Sequence, residues 1–453
     1  MNRWSGLRTP YFRERHYTVR LGDNPLSDKK TKFIKTPIKG MSDMLPSDMR
    51  LRESVLSRIK KSYAGYGFMQ IETPAMEHIE NLCSNQGGEN EKLIFKVLKR
   101  GAALQRDLEN GRYDEMADSG LRYDLTVPLA RYYANNSEQL PSPFKALQIG
   151  SVWRADNPQK GRFRQFTQCD IDILGDESNI AEIELIAATS QMLLNLLSDI
   201  DISGLTVHLN DRRILRALCL SAGFSEEDIP SVLISLDKLD KVGIEGVRME
   251  LLENGCGKEQ VENYLRIYEK STGEEDFAES ITSAVYGILD IEVIKSLQEI
   301  MRSVQAMIDP TVSIVFDPTL VRGMGYYTGP VFEVTLDGYN FSVAGGGRYD
   351  EMIGKFTGNN VPACGFSIGF ERIITILKEK QTDSVKIGAD SLAILVAKDI
   401  TREQKTEVFA RAKKLRSEGR TVSVLPMKRN LNAQFKKLEE EGFTEFEKVY
   451  RAD

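Results

Sequence analysis

Between Phe144 and Gly175 the chain alternates apolar and polar stretches around one turn-like run, Asp156-Asn157-Pro158-Gln159-Lys160-Gly161. Two extended runs joined by such a turn predict a hairpin. A hairpin here puts Arg154 on one strand and Arg164 near the start of the next, with Lys160 and Arg162 on the loop between them. Guanidinium forks that converge on one pocket suit a polyphosphate, because each can make paired, charge-assisted hydrogen bonds. The other reading is a charged hairpin facing solvent, and the segment alone leaves both open.

The remaining sequence narrows the chemistry by exclusion. With 453 residues the chain has room for roughly two to four domains of about 150. Its 41% hydrophobic and 28% charged residues suit a soluble protein with a sizeable core. No apolar run reaches the ~18 residues of a membrane span. Five scattered cysteines, Cys83, Cys169, Cys219, Cys256 and Cys364, form no Cys-x-x-Cys pair, so neither a metal site nor a disulfide framework is expected. His16, His78 and His208 are equally far apart, which argues against a His-based metal site or a Ser-His-Asp triad. A net charge of −6 excludes a protein that coats nucleic acid wholesale, but not a local basic surface.

Along the chain, residues 1–33 read as a basic, poorly ordered extension without the apolar stretch of a secretory signal. A transit peptide stays open as a weaker reading, because Glu14, Asp23 and Asp28 interrupt its pattern. Leu51, Val55, Ile59 and Tyr63 recur at helical spacing and predict a helix from Arg50 to Tyr66, followed by a strand over Phe68–Thr73 that Pro74 closes. Residues 121–175 read as short strands and turns, and Ile183–Leu197 as a helix. From 204 to 310 helical patterns dominate, including Arg212–Ala222, Glu226–Leu236 and Glu259–Lys270, as in an inserted helical domain. Strands return at Ser313–Phe316, Val331–Leu336 and Phe341–Ala344, and a strand-to-helix unit at Ala363–Leu377. The tail, 388–453, alternates strand and helix like a small α/β domain. From Lys398 onward it carries 14 basic against 10 acidic residues, either an RNA-facing surface or ordinary solvated helix.

Five ordered motifs carry a family resemblance. Phe144–Gly175 resembles motif 2 of class II aminoacyl-tRNA synthetases in its histidyl form. Gly40-Met-Ser-Asp-Met-Leu-Pro46 with Gly67-Phe-Met-Gln-Ile-Glu-Thr-Pro74 resembles the opening segment and motif 1. Gly365-Phe-Ser-Ile-Gly-Phe-Glu371-Arg372 resembles motif 3. Leu320-Val-Arg-Gly-Met-Gly-Tyr-Tyr-Thr-Gly329 and Ala344-Gly-Gly-Gly-Arg-Tyr-Asp350 resemble the two histidyl signatures. The match spans about 36–381. It implies an α+β fold: an antiparallel sheet flanked by helices, with a helical insertion and a small C-terminal α/β domain. The divisions are an extension (1–33), a catalytic core in two parts (34–203 and 311–381), the insertion (204–310) and a shortened anticodon-binding-like domain (388–453).

The resemblance also assigns roles. Arg154, Arg322 and Arg372 are the catalytic arginines. Arg154 grips the α-phosphate of ATP, Arg372 the terminal phosphates, and Arg322 reaches the substrate carboxylate and α-phosphate. Arg162 and Arg164 are implied β/γ-phosphate contacts, and Asp156 lies near the base. For histidine, Asp124, Thr126 and Gln168 hold the α-amino group. Asp172 and Tyr327 bond the imidazole nitrogens, and Tyr326 and Tyr349 belong to the same pocket. An acid facing an imidazole is a sensible filter, because aliphatic side chains would leave it unpaired. Gly345-Gly346-Gly347 lacks the βαβ context of a dinucleotide loop and suggests close backbone approach to a ligand. Gly87-Gly88-Glu89 matches a loop over the pocket.

The expected activity is histidine–tRNA ligation, with ATP and its Mg²⁺, histidine and tRNA(His) as partners. No tightly bound cofactor, no protein-held metal and no membrane are expected. A cytoplasmic homodimer follows from motif 1 and the family. This chain departs from the pattern at Gly325, where many relatives carry an acid, at Asp124 and Asp172, where bacterial relatives often carry Glu, and in its short tail. The alternative is a non-catalytic paralogue that senses histidine as a regulatory subunit of ATP phosphoribosyltransferase. Such paralogues typically lack the Arg-Gly-x-x-Tyr-Tyr signature that Arg322, Tyr326 and Tyr327 preserve here.

Overall fold

The computed structural model describes residues 33–83, 91–158, 162–198, 200, 204–271, 277–322, 325–380 and 390–452. The basic extension apart from Phe33, the Gly87-Gly88-Glu89 loop and Lys160 lie outside the described residues. Residues 33–38 carry no helix or strand, and all that follows concerns Lys39–Asp453.

The first helix is Pro46–Gly65, and the periodic positions Val55, Ile59 and Tyr63 are buried. It starts ahead of Arg50 because the fixed φ of Pro46 suits a first helical turn. Gly67, at φ +80°, turns the chain into Met69–Ile71, the edge of an eight-stranded sheet. In spatial order the sheet runs Met69–Ile71, Phe144–Trp153, Gln165–Leu174, Ala363–Ile368, Ser342–Arg348, Pro330–Leu336, Leu205–Asp211 and Val312–Phe316. The six inner strands are mutually antiparallel, and each edge strand is parallel to its neighbour. The chain is thus α+β, with an antiparallel-dominated sheet flanked by helices.

Strand periodicity separates the two faces of this sheet. Cys169, Ile171 and Ile173 of one strand, with Cys364, Phe366 and Ile368 of the next, enter the main core. Helices Ile180–Leu197 and Phe370–Glu379 pack on the sheet, and Pro46–Gly65 packs against both. The alternate positions, Gln168, Asp170 and Asp172 with Gly365 and Ser367, face the other way and border a cavity. Ile180–Leu197 is, among the described residues, the one helix of membrane-spanning length and apolarity, at 18 residues. Glu182 and Glu184 interrupt its apolar run, and its last fifteen residues are the helix that the pattern Ile183–Leu197 predicts. Two-thirds of it is buried in the fold (67%), and Glu182 makes a two-pronged ion pair with Arg348 at 2.6 and 2.8 Å, so it is a core helix.

Three expectations are corrected. Residues 121–175 are not only strands and turns, because Thr126–Asn136 is a helix. Asp124 Oδ1 accepts the Val127 N–H at 3.1 Å in its first turn, where Pro128 is tolerated. Leu205–Asp211, placed by the 204 boundary in the helical insertion, is a strand of the main sheet. The glycine run lies within the strand Ser342–Arg348 rather than after it.

Beyond the sheet, helices Arg212–Ala222, Ile229–Leu236, Leu239–Glu253, Lys258–Ser271, Phe277–Ala284 and Ile291–Met307 follow in succession. The tail has its own sheet, with Ser391–Val396 between Thr421–Pro426 and Glu445–Val449, all parallel. Leu392 and Ile394 pack with Val408 and Ala412 of Arg402–Ser417, while Ala393 and Leu395 pack with Leu438 of Leu431–Glu440. Alternation along one strand thus makes two small cores, the α/β arrangement that the tail's pattern predicts.

Candidate active site

Cross-strand register assembles the floor of the site. Glu333, Gly345, Ser367, Asp170 and Gln148 stand opposite one another across five strands, and Val331, Gly347, Gly365, Asp172 and Ala146 form a parallel row. The glycines are required by what lies on them. A Cβ at Gly345 would sit 2.2 Å from the Arg322 guanidinium, one at Gly365 would sit 2.0 Å from Asp172 Oδ1, and one at Gly346 would sit 1.9 Å from the Gly365 carbonyl. The close approach expected of the glycine run is therefore to a site arginine and a neighbouring strand.

Above the floor is a cavity of about 510 Å³. Arg154 follows the first hairpin strand, its backbone N–H donating to the Arg164 carbonyl at 2.9 Å. Its guanidinium lies 4.3 Å over the Tyr123 ring and 5.1 Å from that of Phe166, which orients it without neutralising it. Arg372, in the first turn of Phe370–Glu379, donates to the Ser342 carbonyl at 2.6 Å and lies 5.5 Å over Phe341. Burial, with the nearby charges of Arg322 and Arg162, pulls its pKa down despite Glu333. Arg322 holds Glu333 at 2.5 Å, and its buried Nε has no partner among the described residues. Burial opposes its charge, but Tyr327 and Glu333 outweigh this and raise its pKa. Its backbone sits at φ +58°, a region that costs a non-glycine residue on the order of 1 kcal/mol.

At the other end, Tyr349 donates to Asp172 Oδ1 at 2.6 Å. Burial, reinforced by Asp124, pushes the Asp172 carboxyl up to about 7 against the lowering effect of that bond. Tyr326 packs on Tyr327 (4.8 Å) and edge-on to Tyr349 (6.0 Å). Asp124, Thr126, Gln168, Asp172, Tyr326, Tyr327 and Tyr349 all border the cavity, together with Arg154, Asp156, Arg162, Arg322 and Arg372. Arg164 does not. Its Nε donates to the Asp156 carbonyl at 3.0 Å and its backbone N–H to the Gly40 carbonyl at 2.8 Å, so it fastens the base of the loop.

The motifs passed over several groups that border or brace the site. Asp170 was legible in principle, because Gln168, Asp170 and Asp172 alternate with Cys169, Ile171 and Ile173 on one strand. Glu371 receives both prongs of Arg52, at 2.6 and 2.8 Å, and the Thr167 N–H at 3.1 Å, which ties the first helix to the hairpin and to Arg372's helix. Glu333, Ser342 and Tyr123 had no local signal, because only the folded sheet brings them to the arginines.

An antiparallel sheet whose hairpin and following helix turn arginines into one cavity is the catalytic core of a class II aminoacyl-tRNA synthetase. Residues 40–373 match the profile of the histidyl-tRNA synthetase family. Histidine–tRNA ligase of Leifsonia xyli subsp. xyli (strain CTCB07) is 43% identical over 421 residues, 91% of this chain and 94% of that protein. The crystal structure of histidyl-tRNA synthetase from Nostoc sp. PCC 7120 superposes with a TM-score of 0.73 at 27% identity, covering 91% of this chain and 90% of that one. The chain belongs to the histidyl-tRNA synthetase family. A structure described as an ATP phosphoribosyltransferase regulatory subunit/histidyl-tRNA synthetase from Bacillus halodurans C shares the fold alone, with a TM-score of 0.73 at 20% identity over 93% of this chain and 100% of that one.

Proposed function

We propose that this chain activates histidine with ATP and transfers the histidyl group to tRNA(His). The carrying observation is that Arg154, Arg322 and Arg372 border the same cavity as the buried Asp172–Tyr349 pair. In the first step a histidine carboxylate oxygen attacks the α-phosphorus, the bond to the β-phosphate oxygen breaks, and pyrophosphate leaves. Arg154 and Arg322 stabilise the charge that builds on the α-phosphate, and Arg372 with Arg162 holds the departing phosphates. Removing one such fixed charge commonly costs on the order of 10²–10³ in rate. In the second step a hydroxyl of tRNA(His) attacks the adenylate carbonyl and AMP leaves.

Asp124, Thr126 and Gln168 receive the α-ammonium group, and Asp172 with Tyr327 the imidazole. Arg164 acts on the phosphates through the loop it fastens. Mg²⁺ neutralises phosphate charge when it accompanies ATP. Dimerisation is favoured by Met69–Ile71, a sheet edge among the described residues, with Met69 and, a few residues on, Met76 exposed. A cytoplasmic setting is favoured by five unpaired cysteines. Pure protein should support histidine-dependent pyrophosphate–ATP exchange and charge tRNA(His). Histidine binding without exchange would overturn the reading in favour of a regulatory paralogue.

A further inference from the structure

Three groups on the cavity floor form a directional relay. Gln168 Nε2 is 3.2 Å from Ser367 Oγ and 3.4 Å from Asp170 Oδ2, and Ser367 Oγ donates to Asp170 Oδ1 at 2.5 Å. Ser367 and Asp170 stand directly opposite on adjacent antiparallel strands, and Asp170 and Gln168 project from the same face of one strand. Gln168 Oε1 is buried and has no hydrogen-bond partner among the described residues, although the residue is only 9% exposed.

The relay has one stable polarity. Asp170 takes the single hydrogen of Ser367, so Ser367 Oγ can offer the glutamine only a lone pair. The group of Gln168 that faces it must then be the N–H₂, and Oε1 is left as a buried acceptor at the cavity wall. A flipped amide would set its carbonyl against two oxygens with no hydrogen to share. A buried acceptor without a partner is costly unless a ligand supplies the donor. A bound ammonium group would supply that donor to Gln168 Oε1.

We propose that Asp170, acting through Ser367, is a positioning residue that locks the Gln168 amide as an acceptor and so selects ligands bearing a primary ammonium group. This rests on the histidine-activating reading and deepens it by naming what enforces the α-amino requirement. Asn at position 170 can donate to Ser367, free its lone-pair constraint and let the amide turn.

The test compares two ligands that differ in the group concerned. Histidinol keeps the amine and lacks the carboxylate, whereas imidazolepropionate keeps the carboxylate and lacks the amine. Calorimetric Kd values for both are measured on the parent protein, Asp170→Asn and Ser367→Ala. We expect Asp170→Asn to weaken histidinol by roughly 10- to 100-fold, the range of one hydrogen bond to a charged group. It should leave imidazolepropionate within about twofold, and raise the KM for histidine far more than it lowers kcat. Ser367→Ala, a smaller change to the core, should shift histidinol in the same direction. Equal loss for both ligands, or no change for histidinol in either variant, overturns the proposal. A parent that binds both ligands yet shows no exchange overturns the enzymatic reading while the relay is still decided by the two Kd values.

Discussion

Adjacent glycines of one strand carry different burdens. At Gly345 the obstacle to a side chain is the movable end of Arg322, whereas at Gly346 it is the backbone of the next strand. Gly345→Ala should therefore fold with an unchanged Tm and lose histidine-dependent exchange by roughly 100-fold, the effect of about 1 Å of misplacement. Gly346→Ala should instead lower the Tm or give no soluble protein. Equal thermal stability of the two variants would contradict this division. Asp172 makes a prediction about pH. Its carboxyl is raised from 3.8 to about 7, so between those values the folded chain holds a proton that the unfolded chain has released. Its contribution to stability is then full below about 4, declines as pH rises towards about 7, and is flat above. Asp172→Asn should remove that decline when unfolding free energies are compared from pH 4 to pH 8. A parallel pH dependence in both proteins would refute it.

At the scale of elements, the buried Arg348–Glu182 pair joins the strand of the glycines to the helix Ile180–Leu197. Arg348 also donates to the Ser178 carbonyl at 2.8 Å, so the arginine loses a full set of partners only if the helix moves. Glu182→Ala removes the buried counter-charge of that guanidinium and leaves it only the half-buried Asp350 at 3.2 Å, so it should destabilise the protein by about 3 kcal/mol in urea unfolding. Elements with one clear period were legible in the sequence. The helix around Val55 and Ile59 and the alternating tail follow from patterns of a few residues. The helix Thr126–Asn136 was not legible, because Val127-Pro128-Leu129 reads as extended and only the Asp124 carboxylate at its start reveals it. The site divides in the same way. Its arginines and tyrosines sit in ordered motifs, whereas Glu333 and Ser342 reach it by cross-strand register that no local spacing encodes.

For the whole molecule, the tail has separate strands and separate cores from the sheet that carries the arginines. Adenylation and RNA charging should therefore come apart. A chain ending before Asp390 is expected to keep histidine-dependent exchange within about threefold of the parent, since additivity holds for parts that share no partners. Its charging of tRNA(His) should fall by an order of magnitude or more, as expected when several phosphate contacts are lost. Equal loss of both activities would show that the tail supports the catalytic core itself. The glycine-paved floor has a further consequence for anyone who wishes to redirect the pocket to another amino acid. Main chain offers no side chain to exchange, and each added methyl group strikes an arginine, a carboxylate or a neighbouring strand. Laboratory evolution towards a different cargo should accumulate its productive changes at Asp172, Tyr327 and Tyr349 and leave the floor glycines untouched.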